Sequence, residues 1–268
     1  MPMDGIADYV FTEDLGEATH GHLYLAKRPS RLPGSDEHVV VKVMSGTNEE
    51  ALRRITRELR AFAAASSPYL VALLDAGQQD DVLFYAREQL GRGTLESQAQ
   101  TLSRTDALVA MSNVARAAHA LHESGIAHRD IRPGNVWLSE TGAKLGDLAL
   151  AQESKAGAQV TTMVSKSTAV AFLDPACLFG EAASRASDIY SIGATLHYAL
   201  SGRTVYVGLS EGDAVLALRS ILNGQAEIAG SLSAAEADLV RQCIAPNAAD
   251  RPATADEVAD RIDKLGAQ

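Results

Sequence analysis

The chain has 268 residues, enough for one large domain or two small ones with a substantial buried core. Hydrophobic residues make up 46% and charged residues 22%, a globular balance that excludes a disordered, collagen-like or coiled-coil chain. The formal charge of -10 argues against a surface built to neutralise nucleic-acid phosphates or anionic lipid. Cys177 and Cys243 lack CxxC spacing and read as small hydrophobes rather than disulfide or zinc ligands. No apolar run approaches the roughly 18 residues of a membrane span, and Met1-Pro2-Met3-Asp4-Gly5 lacks the order of a signal peptide. The expectation is a cytoplasmic protein without nucleic-acid partner or membrane span, or else a soluble piece of a longer membrane protein.

In chain order, Tyr9-Val10-Phe11, His22-Leu23-Tyr24-Leu25-Ala26 and His38-Val39-Val40-Val41-Lys42-Val43-Met44 are β-favouring runs separated by Gly and polar residues, as in a meander. Between the last two runs lies a loop with Pro29, Pro33 and Gly34. Thr47-Asn48-Glu49-Glu50 is a capping box, and Leu52, Ile55, Leu59 and Phe62 recur at helical spacing, which predicts one amphipathic helix to about Ala65. Two further strands are expected over 69–74 and 82–89, joined by a turn through Gly77 and Asp80-Asp81.

After Gly91-Arg92-Gly93 the texture turns helical. Ser103-Arg104-Thr105-Asp106 caps a long helix whose Leu108, Met111, Val114, Ala118 and Leu121 share one face. Ser187 to Leu200 predicts another, with Ile189, Ile192 and Leu196 inward, and the capping signature returns at Ser233-Ala234-Ala235-Glu236 and Thr254-Ala255-Asp256-Glu257. The layout is α+β: one unit over 1–268, with a small β lobe carrying one helix (1–90), a larger helical lobe (91–268), and a cleft between them as the expected site.

His128-Arg129-Asp130-Ile131-Arg132-Pro133-Gly134-Asn135 satisfies the five fixed positions of HRDxxPxN, which chance supplies in about one chain of this length in ten thousand. Asp130 can accept a hydroxyl proton, and Asn135 offers an amide oxygen to a hard cation. The stretch resembles the catalytic loop of the eukaryotic-like, Hanks-type protein kinases. That resemblance implies a bilobal kinase-like fold, ATP with Mg2+ or Mn2+ as cofactors, and a protein substrate whose hydroxyl Asp130 orients. Lys42 and Arg132 would balance phosphate charge.

Lys144-Leu145-Gly146-Asp147-Leu148-Ala149, with its aspartate twelve residues past Asn135, resembles the DFG segment, which makes Asn135 and Asp147 the implied metal ligands. Val39-Val40-Val41-Lys42 resembles the VAIK strand, with Glu58 on the next helix as the implied partner of Lys42, although Glu49 and Glu50 share that helix. Gly16-Glu17-Ala18-Thr19-His20-Gly21-His22-Leu23 falls where the family carries GxGxxGxV. Gly16, Ala18, Gly21 and Leu23 are the implied nucleotide contacts, with Ala18 for the central glycine pointing to a stiffer or more open lid. The resemblance implies a hinge at Glu88-Gln89-Leu90, whose backbone groups, at Glu88 and Leu90, would bind the adenine edge.

Ser187-Asp188-Ile189-Tyr190-Ser191-Ile192-Gly193 resembles the helix whose aspartate holds the catalytic-loop backbone. Asp250-Arg251-Pro252 resembles the arginine that pairs with the glutamate of APE, yet that segment reads Asp174-Pro175-Ala176 here, so Asp174 or Glu181 is expected to replace the acid, or Arg251 to be solvated. Thr161, Thr162, Ser165, Ser167 and Thr168 fall in the implied activation segment, where a phosphate could pair with Arg129. Arg87, just before the hinge, is a charge beside an adenine pocket that must pair or snorkel, unless the strand register differs.

These departures, with Leu148-Ala149 for Phe-Gly, keep open a partner-binding pseudokinase that transfers no phosphate. Retention of Lys42, Glu58, Asp130, Asn135 and Asp147 favours an active enzyme, and Asp188, Pro175 and Arg251 disfavour a small-molecule kinase. Pro133 favours serine or threonine acceptors, while Arg132 is shared with some tyrosine kinases.

Overall fold

Alternating apolar residues near the N-terminus build an antiparallel sheet. In the computed structural model, which describes residues 4–18, 21–44, 49–148, 151–153, 170–178, 180–209 and 213–267, the strands are β1 (Gly5–Ile6), β2 (Tyr9–Ala18), β3 (Gly21–Lys27), β4 (His38–Met44), β5 (Leu73–Gln79) and β6 (Val82–Glu88). They lie in the order β1-β2-β3-β4-β6-β5. Val39, Val41 and Val43 of β4 and Phe84 and Ala86 of β6 bury one face with Tyr9, Tyr24 and Ala26. By the two-residue period of a strand, Val40, Lys42, Tyr85 and Arg87 therefore share the opposite face. The antiparallel register pairs Lys42 with Tyr85 and Val40 with Arg87, so no shift removes Arg87 from that face.

Helix α1 (Glu49–Ala64) packs Ile55 against Met44 and Tyr85, with Leu59 and Phe62 alongside. The expected cap at Thr47 and Asn48 and the side chain of Leu52 lie outside the described residues.

Two readings of the β5–β6 region are corrected. The turn consists of Asp80 and Asp81 alone, both with positive φ (47° and 65°), the geometry of a two-residue hairpin. Gly77 instead lies within β5, where an added Cβ would come within 2.8 Å of the Phe84 ring. Residues 69–72 do not begin β5 either. The Leu145 amide donates to the Tyr69 carbonyl (2.8 Å) and the Val71 amide to the Leu145 carbonyl (2.9 Å), because this stretch crosses to a strand of the helical part.

That part contains α2 (Leu95–Gln98), α3 (Arg104–Glu123), β7 (Ile126–Ala127), β8 (Val136–Ser139), β9 (Gly142–Leu145), β10 (Gln152–Glu153), α4 (Pro175–Leu178), α5 (Arg185–Ser201), α6 (Ala214–Asn223), α7 (Ala234–Cys243) and α8 (Ala255–Gly266). Side chains of Ser103, Ser184, Ser233 and Thr254 accept the amides that open α3, α5, α7 and α8. Leu108, Met111, Val114, Ala118 and Leu121 of α3 enter a core around α5, buried on nearly all sides. Gly193 of α5 permits this closeness to α7, since an added Cβ would stand 2.4 Å from the Cys243 Cβ. Cys177 and Cys243 are free and buried, and burial pushes their thiols up to about 11 and about 12, inert as small apolar fillers.

Candidate active site

Lys42 stands near the end of β4 on the sheet face that packs against α1. Its ammonium lies 3.1 and 3.3 Å from the two Glu58 carboxylate oxygens, both residues being buried. The Tyr85 hydroxyl donates to the same carboxylate at 2.7 Å. Burial pushes the Glu58 carboxyl above its ordinary range, with the Lys42 charge acting in the opposite direction. Asp147 Oδ1 stands 3.8 Å from Lys42, so the lysine is shared between a strand–helix pair and the loop after β9.

The catalytic-loop segment is shaped by buried polar bonds. The Asp188 carboxylate, at the start of α5, accepts the backbone amides of His128 and Arg129, each at 2.8 Å, and contacts His122 Nε2 at 2.8 Å. Burial works against its charge, but these donors prevail and hold its carboxyl below the usual range. His128 Nδ1 accepts the Asp130 amide, so its Nε2 donates to the Gly146 carbonyl (3.1 Å). Arg129 and Asp147 both adopt positive φ, 71° and 60°, a conformation non-glycine residues keep only where surroundings impose it.

Within this frame Asp130 is fixed from two sides. Arg132 Nε donates to its Oδ1 (3.1 Å), and the Asn135 amide nitrogen donates to its Oδ2 and its backbone carbonyl (2.8 Å each). Asn135 thus spends its nitrogen on Asp130, which leaves the amide oxygen for a cation. Desolvation raises the Asp130 carboxyl above its normal value, opposed by Arg132.

Lys42, Arg132, Asn135 and Asp147 line a cavity of about 180 Å³ with Glu17, Ala18, Leu23, Tyr85, Arg87, Glu96, Gly134 and Trp137, whereas Asp130 and Glu58 stand behind that wall, held by Asn135 and Arg132 and by Lys42. Gly16, Gly21, Glu88 and Leu90 do not line it. Gly16 has φ 88° at the β2 bulge, and Gly21 is required by the sheet, since its Cβ would meet the Val43 carbonyl at 2.5 Å. Ala18 ends β2, paired with Gly21 and without positive φ, so the local backbone has no need of a glycine there. Thr19 and His20 lie outside the described residues. The Glu88 side chain turns from the cavity to Lys144 (2.7 Å) and the Ala72 amide (2.7 Å).

Arg251 is buried and held bidentately by Asp174, at 2.5 and 3.2 Å, rather than by Glu181 or solvent. The acid has moved two residues upstream of Ala176. Thr161, Thr162, Ser165, Ser167, Thr168 and Ala149 lie outside the described residues. Sequence reasoning missed Tyr85 and Trp137. Tyr85 was accessible, two residues from Arg87 on the same strand face; Trp137 follows two residues after Asn135 on β8, and only the packing brings it to the cavity.

The protein kinase domain matches residues 9–261 of the chain. Over 260 residues the chain is 32% identical to the serine/threonine-protein kinase PknK of Mycobacterium tuberculosis, covering 93% of this chain and 23% of that protein. It is 27% identical over 96% of its length to a probable serine/threonine-protein kinase of Clostridium perfringens (38% of that protein), and 29% identical over 65% to PrkC of Bacillus subtilis (28% of that protein). The chain thus spans well under half the length of these relatives. A buried lysine–glutamate pair, an aspartate-bearing loop held by Asp188 and a family match over residues 9–261 lead to one conclusion: this chain belongs to the protein kinase domain family.

Proposed function

We propose that the chain transfers the γ-phosphoryl group of ATP to serine or threonine hydroxyls of a protein substrate, as one unit with lobes over 1–90 and 91–268. The observation that carries this reading is the meeting of Lys42, Asn135 and Asp147 on one cleft, with Glu58 bonded to Lys42 and Asp130 to Asn135 directly behind it. The relatives' shared name as serine/threonine kinases supports the acceptor type.

Asn135 and Asp147 supply hard oxygen donors, and among the described residues no group of three or more His, Cys, Asp or Glu side chains forms a metal cage. That donor set fits a cation such as Mg2+ or Mn2+ that completes its shell with phosphate oxygens and water. Such a cation, when bound, neutralises charge on the transferred phosphoryl group. Lys42, locked by Glu58 and Tyr85, presents a fixed positive charge to the phosphates, and Arg132 adds a second beside Asp130. Asp130 orients the acceptor hydroxyl and takes its proton as the hydroxyl oxygen bonds to the γ-phosphorus, the bond to the leaving ADP oxygen breaking in line. Gly16, Ala18, Gly21 and Leu23 form the lid, and the Glu88 and Leu90 backbone receives the base.

Among the described residues no helix is long and apolar enough to cross a membrane. Two free cysteines suit a reducing cytoplasm, and the charge of -10 suits a protein rather than a nucleic-acid partner. The test is transfer of radiolabelled γ-phosphate, with Mg2+ and then Mn2+, to the chain itself and to a generic basic protein. Incorporation on serine or threonine that disappears in Asp147→Asn is the expected result; no incorporation with either metal overturns the reading.

A further inference from the structure

Arg87 is a buried cation of the cleft whose placement the transfer chemistry does not require. It is 5% exposed, yet its guanidinium forms no ion pair among the described residues. Among the described residues two contacts engage the guanidinium. The flat group lies over the Trp137 indole, 4.3 Å from the ring centroid, and Nη1 donates to the backbone carbonyl of Glu88 at 3.4 Å. Glu58, the carboxylate that Arg87 could have taken from Lys42, is filled by Lys42 and Tyr85.

Those two contacts are of the kind a purine makes. A planar, delocalised, nitrogen-rich group stacks on an aromatic floor and gives an N–H to a hinge carbonyl. Arg87 stands on β6 and Trp137 on β8, so the stack bridges the sheet and the helical part across the cleft. Val40, paired with Arg87 on the same sheet face, is the adjoining apolar neighbour. The remaining cavity of about 180 Å³ is smaller than the roughly 300 to 1,000 Å³ typical of pockets for drug-sized ligands, and Glu88 and Leu90 are not among its lining residues.

We infer that Arg87 is a built-in occupant of the base slot: its guanidinium holds the hinge carbonyl and the Trp137 face, and a nucleotide base binds only by displacing it. The inference rests on the nucleotide-binding reading above and adds to it a residue that sets nucleotide affinity. The long 3.4 Å hydrogen bond and the absence of an ion pair make the occupant displaceable, while burial and stacking make its departure costly.

Adenosine, which carries the base without phosphates, isolates this slot, and Trp137, the chain's only tryptophan, reports on it directly. In the unmodified chain, adenosine should change the Trp137 emission saturably as the base replaces the guanidinium. Arg87→Met, which keeps side-chain length without the planar cation, should bind adenosine and ATP about tenfold more tightly. Arg87→Lys, which keeps the charge and loses the fork, should fall between them, and it serves alone if Arg87→Met does not fold. Equal or weaker adenosine binding in the variants, with γ-phosphate transfer retained, overturns this inference and leaves the kinase reading standing. Failure of every chain to bind adenosine and ATP overturns both.

Discussion

Asp130 carries two opposed demands in one side chain. Its carboxyl is raised by desolvation, so the folded state favours the protonated form more than the unfolded chain does. For such a group, stability is greatest below the unfolded carboxylate value near 3.9 and declines as pH rises through the folded value. Asp130→Asn should therefore melt above the parent at pH 7 while phosphate transfer falls by about a thousandfold or more and ATP affinity is nearly unchanged. A variant that melts lower would contradict the electrostatic account, and one that keeps turnover would contradict the assignment of the base. The same raised carboxyl places the acidic limb of the rate profile above the usual carboxylate range. Tyr85 offers a second test: Tyr85→Phe removes the hydroxyl donated to buried Glu58 and should cost about 1–3 kcal/mol, measured by urea unfolding.

Between elements, one carboxylate has changed position while the contact survives. Asp174, immediately before α4, reaches Arg251 before α8 and also accepts the Ala176 amide at 3.1 Å. Three further acceptors, the carbonyls of Ala245 (2.8 Å), Ala186 (2.9 Å) and Pro246 (3.5 Å), fix the guanidinium, and it lies 5.2 Å from the Tyr190 ring centroid. Asp174→Ala strands a buried cation and should cost about 3–5 kcal/mol, whereas the Asp174→Ala, Arg251→Met double variant should recover most of that loss. Calorimetric melting of the three chains decides it. The α5–α7 crossing has less tolerance. At Gly193 any side chain must displace Cys243, so Gly193→Ala should destabilise by about 1–3 kcal/mol.

For the whole molecule, carboxyls held low in several places make the fold acid-sensitive, and Asp188, where α5 meets the catalytic loop, is the most buried of them. Asp188 has a lowered carboxyl, so its contribution is present above the unfolded value and lost as pH falls through the lower folded one. Glu58 and Asp130 titrate with the opposite sign. Asp188→Asn should consequently be destabilised most at neutral pH, with the gap to the parent narrowing below about pH 4, in denaturant melts taken between pH 3 and 7. A gap independent of pH would show that lost packing, not the charge, is responsible. The Glu88–Lys144 pair, 2.7 Å apart, adds a partly exposed tie between the sheet and β9, worth about 1 kcal/mol or less.

The sequence by itself determined what is local. Asp130, Arg132 and Asn135 lie within six residues of one loop, so their meeting is a local turn, and Ser103, Ser233 and Thr254 cap helices whose first turns they adjoin. Strand alternation likewise placed Lys42 on the face opposite the core. Tertiary structure decided each choice among competitors distant in the chain. Glu58 as the lysine's partner follows from how α1 packs on β4 and β6, which puts one turn of the helix over Lys42. Asp174 rather than Glu181 pairs with Arg251 across 77 residues, because the fold around α5 buries the guanidinium beside it. The path of residues 69–72 into β9 and the resting place of Arg87 on Trp137 have the same origin. Local pattern specifies which face a side chain takes, whereas the partner it meets is set by the packing of elements that no local pattern relates.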